Sequence, residues 1–239
     1  MLQLIRKQLR AQGTDVIWGP VIMLAAGIVG MSIMFAMIKF DIADGEWFCL
    51  GTMLGGIVAA IYGFIWISAG IGFYFNMEVA MGCSRKEFFF SYYLTGFVMN
   101  GVYAIIMAIM CIIETALGRM LYPGMKNDID LLSYIIRGGI PVVVVLTVTG
   151  GFCGTLVLRY GKKAFWVLWT IWMVLCLGGP RISDAVSDAP DSVFGKIGTA
   201  VEVLLESVSV NIWILFGAAI VAACGVADFL MLRRQQVTM

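Results

Sequence analysis

The chain has 239 residues, 61% of them hydrophobic and only 13% charged, with mean hydropathy +0.96 and net charge +1. The charged share is about half that of a soluble domain, and the near-neutral balance gives nucleic acid no electrostatic handle. His is absent altogether, which excludes an imidazole proton relay, a His-ligated metal and a His-based triad.

The first segment, residues 1–15, is amphipathic. Leu2, Ile5 and Leu9 share one helical face, with Arg6, Lys7 and Arg10 beside or opposite it. It reads either as the basic flank of a first span or as an interfacial helix on the inner leaflet. It is too polar, and lacks the apolar core, for a cleaved signal peptide. Six uncharged apolar runs follow, at about 16–38, 47–77, 88–113, 138–158, 164–180 and 207–227. A helix needs about 20 such residues to cross the hydrocarbon, and in lipid a backbone that satisfies its own hydrogen bonds is helical. The expectation is an all-α polytopic protein, one transmembrane domain over 1–239 with six spans and no soluble catalytic module.

Lys and Arg set the orientation. With both termini inside, the inner segments hold Arg6, Lys7, Arg10, Arg85, Lys86, Arg159, Lys162, Lys163, Arg233 and Arg234, ten of the 16 cations. The outer segments hold Lys39, Arg119, Lys126, Arg137, Arg181 and Lys196 on longer loops. Only Asp15, Glu78, Glu87 and Asp228 of the 15 acids fall inside. The reading is N-in and C-in.

Other absences narrow the field. The six cysteines, Cys49, Cys83, Cys111, Cys153, Cys176 and Cys224, contain no CxxC. They read as small buried hydrophobes rather than a disulfide framework or metal site. Gly161-Lys162-Lys163 lacks the upstream Gly and the Ser/Thr of a phosphate-binding loop, so no ATP site of that kind, no cofactor and no catalytic residue is expected in this chain. The six runs hold no Asp, Glu, Lys or Arg, and Glu78 and Glu114 stand at span ends. Ion-coupled transport ordinarily uses an ionisable group at depth, which counts against a secondary transporter or channel.

The connection between the second and third runs is the richest stretch. Ser84 is placed to cap a helix beginning at Arg85, Glu87 stands three residues on at the capping-box spacing, and Gly82 supplies the turn. By itself this describes a tight helix–helix turn carrying inside charges. The segment Met81-Gly82-Cys83-Ser84-Arg85-Lys86-Glu87-Phe88-Phe89 resembles the signature at the same place in membrane subunits of type-2 ABC exporters, six-span permeases of drugs and antibiotic peptides. The matching residues include Gly82, Ser84, Arg85 and Lys86; the motif covers nine residues, while the six-span layout covers the whole chain. The resemblance implies a permease subunit in the plasma membrane of a bacterium. It implies a second membrane subunit, identical or different, and a separate ATPase chain holding ATP and Mg. It assigns residues 78–88 to docking on that ATPase, with Glu78, Met81, Gly82, Ser84, Arg85, Lys86 and Glu87 as the coupling residues. A non-transport assembly or sensor subunit is the remaining alternative. The transported substrate is not legible.

Other features have two readings each. Gly51, Gly55, Ala59 and Gly63 form a small-residue stripe, suited to packing within the subunit or to a dimer seam. The turn at 159–163 is a topology anchor or a contact for ATPase or lipid phosphate. Asp130 is placed to cap the helix entering the fourth span. Residues 181–206 turn amphipathic through Val193, Phe194, Ile197, Ala200, Val201, Leu204 and Leu205, giving an interfacial or re-entrant helix that serves as scaffold or as substrate gate.

Overall fold

The structure is a computed structural model that describes residues 13–40, 47–124, 130–188, 192–207 and 209–235. The N-terminal residues Leu2 to Arg10 and the outer-loop residues Asp44, Lys126 and Asp128 lie outside the described residues. Among the described residues seven helices follow one another: α1 Gly13–Lys39, α2 Leu50–Ala80, α3 Arg85–Leu121, α4 Leu131–Tyr160, α5 Lys162–Asp188, α6 Val193–Ser207 and α7 Val210–Arg234. Strands are absent among the described residues.

Five of these helices, α1 to α4 and α7, have the length and apolarity to cross a membrane. The chain is a multi-pass membrane protein. The run at 164–180 lies in α5, which is not one of the five; at 17 residues it is the shortest uncharged run, at the lower limit for a span.

The helices outrun the uncharged stretches that announce them. α3 continues through Glu114 and Arg119, α4 begins before Arg137, and α7 carries on past Asp228. A charge ends an apolar run on paper, but it ends no helix when its side chain is satisfied by a neighbour. Asp130 supplies the start of α4, its carboxylate accepting from Ser133 N, as its position predicts.

α2 and α4 lie at the centre. α2 packs on α1, α3 and α4, while α4 also meets α5 and α7; among the described residues α6 packs on α5 alone. Close approach of α1 and α2 depends on missing side chains. A Cβ on Gly30 would stand 2.7 Å from Gly51 Cα, and one on Gly51 would stand 2.6 Å from the Gly27 carbonyl. The stripe Gly51, Gly55, Ala59 and Gly63 is buried, with α1 over Gly51 and Gly55 and α3 residues over Gly63. α2 and α4 meet similarly, where a Cβ on Gly154 would lie 3.0 Å from Ser68 Cα. Small residues allow this dispersion-driven contact in lipid, where apolar burial supplies no drive between helices.

The core falls into clusters along the bundle. At the end carrying the 81–84 turn, Ile67, Ile71, Phe75, Phe88, Tyr92 and Leu232 pack together. Midway are Met23, Ala59, Met99, Tyr103 and Met110. At the far end are Met34 with Trp47, and Cys49 with Cys111 and Ile135. Cys49 and Cys111 are buried free thiols; Cys176 is exposed.

Candidate functional site

The 81–84 turn is built by two interlocking caps. Gly82 N–H donates to Val79 O at 3.1 Å and Cys83 N–H to Glu78 O at 3.0 Å. Those are the two bonds of a Schellman motif, and Gly82 takes the left-handed conformation it needs, with φ +91°. The next residue starts the following helix. Ser84 Oγ accepts from Glu87 N–H at 3.3 Å while the Glu87 carboxylate accepts from Ser84 N–H at 3.1 Å, a complete capping box. Four residues therefore join two long helices with most of the end groups satisfied, a stiff connection rather than a loose loop.

The seven sequence-selected residues of this turn fall into two groups. Met81, Gly82, Ser84, Lys86 and Glu87 are exposed, Met81 most prominently at 71%. Glu78 and Arg85 are half-buried. Arg85 is engaged within the chain: its Nη1 donates to the Arg233 carbonyl at 2.8 Å, satisfying an end carbonyl of α7. Cys83, half-buried in the turn, has its thiol pushed up by burial and by the neighbouring carboxylates of Glu78 and Glu87, which keeps it protonated and unreactive.

α3 is fastened to α7 at successive turns from this end. After Arg85 comes Phe89, whose ring lies 5.2 Å from that of Phe229. Next is Tyr93, whose hydroxyl donates to Asp228 Oδ2. Asp228 is fully buried. The buried hydroxyl of Thr155 on α4 lies beside this carboxyl, yet neither it nor the other oxygen, Oδ1, makes a hydrogen bond of ordinary geometry. Beside Tyr93, a groove of about 550 Å³ runs between α3 and α7, lined by Phe89, Phe90, Phe97, Gly225 and Phe229.

A second carboxylate is buried toward the far end of α3. Glu114 is 1% exposed. It accepts from Gly51 N–H, Thr52 N–H and Thr52 Oγ1, each at 2.8 Å. α2 has no side-chain cap of its own, since Cys49 stands at its N-cap. Glu114 supplies that cap from α3, its charge meeting the free N–H groups and positive end of the helix dipole.

These placements correct the sequence reading in one respect. Two carboxyls stand buried in the helix bundle, where the uncharged runs imply none; on sequence alone Asp228 is an inner-flank charge and Glu114 a span-end charge. The signal was present. Phe229, Leu230, Met231 and Leu232 follow Asp228, and Ala116 and Leu117 follow Thr115 after Glu114, so the apolar pattern resumes beyond each acid. The residues singled out between 78 and 87 lie on the 81–84 turn and the helix ends beside it, and Arg85 among them bonds across to α7. No family model matches the chain, and no curated protein or solved structure is similar to it.

Proposed function

We propose that the chain is the permease subunit of an ATP-driven exporter, paired with a second membrane subunit and driven by a separate ATPase that holds ATP and Mg. The observation that carries this reading is the doubly capped turn at 81–84. It joins two long helices rigidly and presents Met81, Lys86 and Glu87 to an outside partner. A push on a stiff turn moves α2 and α3 as a unit, and through Arg85 and Phe89 it also moves α7. Six spans, inward termini and a bacterial plasma membrane belong to the same proposal. On it, Ser84 faces the cytoplasm and Asp188 the outside, and the chain by itself does not hydrolyse ATP.

The test is co-purification in lipid with an ATPase whose turnover the chain stimulates. Lys86→Glu with Met81→Ala should weaken that association several-fold, as expected for a docking surface, while the helices still insert. Arg85→Glu and Glu78→Lys should uncouple hydrolysis from transport, with Lys126→Glu as the silent control. Full assembly and transport in all of these variants would reduce 78–88 to a turn. Labelling of a cysteine placed at position 84, but not one at 188, by an impermeant reagent from outside would overturn the orientation.

A second reading has one observation in its favour. A buried acid in a membrane helix, such as Asp228, is what an ion-coupled secondary transporter requires. Transport by the purified chain in vesicles without any ATPase would decide for it.

A further inference from the structure

Asp228 sits six residues before the end of α7. By helix rise that is about 9 Å inside the helix end. α3 presents Tyr93 to it and α4 presents Thr155, with Cys153 on α4 and Cys224 on α7 close by. No cation compensates it among the described residues. Arg85 is held by the Arg233 carbonyl, Arg159 lies over the Tyr160 ring at 5.6 Å, and Arg233 and Arg234 are exposed at the end of α7.

An ionised carboxylate in this position costs several kcal/mol unless paired or fully hydrogen-bonded. One tyrosine hydroxyl serves one of its oxygens only. The defect is specific: Oδ1 needs a partner, and Thr155 Oγ1, on the residue that faces it, needs one too. A Thr155 hydroxyl turned toward Oδ1 adds at most a second neutral donor, so with no cation beside it the buried charge stays uncompensated, and a proton on the carboxyl is what removes it. A hard metal ion would not serve, because it seeks about six or more oxygen ligands and the side chains here offer Asp228 Oδ1, Thr155 Oγ1 and Tyr93 Oη, flanked by thiols.

We propose that Asp228 is a proton-binding site inside the membrane domain. It holds its proton while α7 is packed on α3 and α4, and gives it to water when α7 parts from them along the groove beside Tyr93. In that step the Oδ1–H bond breaks, its electron pair stays on the carboxylate, and the proton passes to a water molecule to form hydronium. The neutral acid clamps three helices; the carboxylate, with hydroxyls but no cation beside it, favours the hydrated, opened arrangement. This site uses only residues of this chain, so it stands or falls separately from any ATPase partner.

The measurement is infrared difference spectroscopy of the purified chain in lipid nanodiscs at neutral pH. The expected result is a carbonyl stretch of a neutral carboxylic acid that shifts in D2O, disappears in Asp228→Asn and remains in Glu114→Gln. Thr155→Val and Tyr93→Phe should each move the band toward that of a less hydrogen-bonded acid. If Asp228→Asn does not fold, the carboxyl-carbon chemical shift of labelled aspartate in the unaltered chain answers the same question. Absence of a neutral acid in both measurements overturns the proposal. So does a band that appears only when sodium is withdrawn, which would make this a cation site. Spin labels at Phe90 and Val226, both exposed on the groove walls, should separate as pH rises in the unaltered chain and stay fixed in Asp228→Asn; separation unaffected by that substitution also counts against it.

Discussion

Glu114 and Asp228 are the same chemistry in two different states of completion. Both are carboxyls buried against α3, Glu114 on that helix and Asp228 opposite Tyr93, about 30 Å apart along it by helix rise. Glu114 accepts three bonds from the start of α2 and serves as that helix's missing cap. Asp228 receives one, and leaves an oxygen and a neighbouring hydroxyl unserved. Burial alone therefore does not distinguish a structural acid from a poised one; the count of donors does.

The largest expected effect is at the completed site. Glu114→Ala strands three buried donors and should lower unfolding stability in detergent or lipid by about 3 kcal/mol or more. Glu114→Gln, which keeps acceptor oxygen but loses charge, should cost less. The contrast between the sites is broken if Glu114→Ala unfolds no more easily than Asp228→Ala.

Gly51→Ala sharpens the same end. Its Cβ would stand 2.6 Å from Gly27 O and 3.1 Å from Glu114 Oε1, crowding both the helix contact and the cap, for a loss of about 1–3 kcal/mol by overpacking. Gly72→Ala, with open space around the new methyl, is the matched control and should be stable by the same unfolding assay.

Tyr93→Phe removes one donor from the incomplete site and should cost about 1 kcal/mol. Asp228→Asn should cost less than about 1 kcal/mol, because a neutral amide replaces what the proposed site holds as a neutral acid. A loss at Asp228→Asn as large as that at Glu114→Ala would show an ionised, structurally essential carboxylate and erase the contrast.

The smallest effect is an exposed reference for both acids. The Ser133 hydroxyl and N–H donate to the Asp130 carboxylate at the start of α4 and hold it below its usual range. A lowered folded value means the cap's contribution is complete above the unfolded value of about 3.9 and is lost as pH falls through the folded one. The protection factors of amides in the first turn of α4 should therefore fall only in acid, and stay unchanged near neutrality.

Much of the fold was legible before any coordinates. Apolar runs longer than a bilayer is thick leave helix as the only way to satisfy the backbone, so the positions of α1 to α4 and α7 follow from composition and length alone. The caps were legible too, because Ser84 with Glu87, Gly82 and Asp130 are local devices whose partners lie within a few residues. What the tertiary structure decided was everything that depends on residues distant in sequence. Glu114 meets Gly51 and Thr52 across 63 and 62 residues, and Tyr93 meets Asp228 across 135. Arg85, expected among the docking residues of the turn, donates to a carbonyl 148 residues away. The glycine stripe had two readings on paper, and the helices that lie over it, α1 and α3, are seen only in the structure. A sequence states which groups must be satisfied; which helix brings the partner is settled only when the chain has closed on itself.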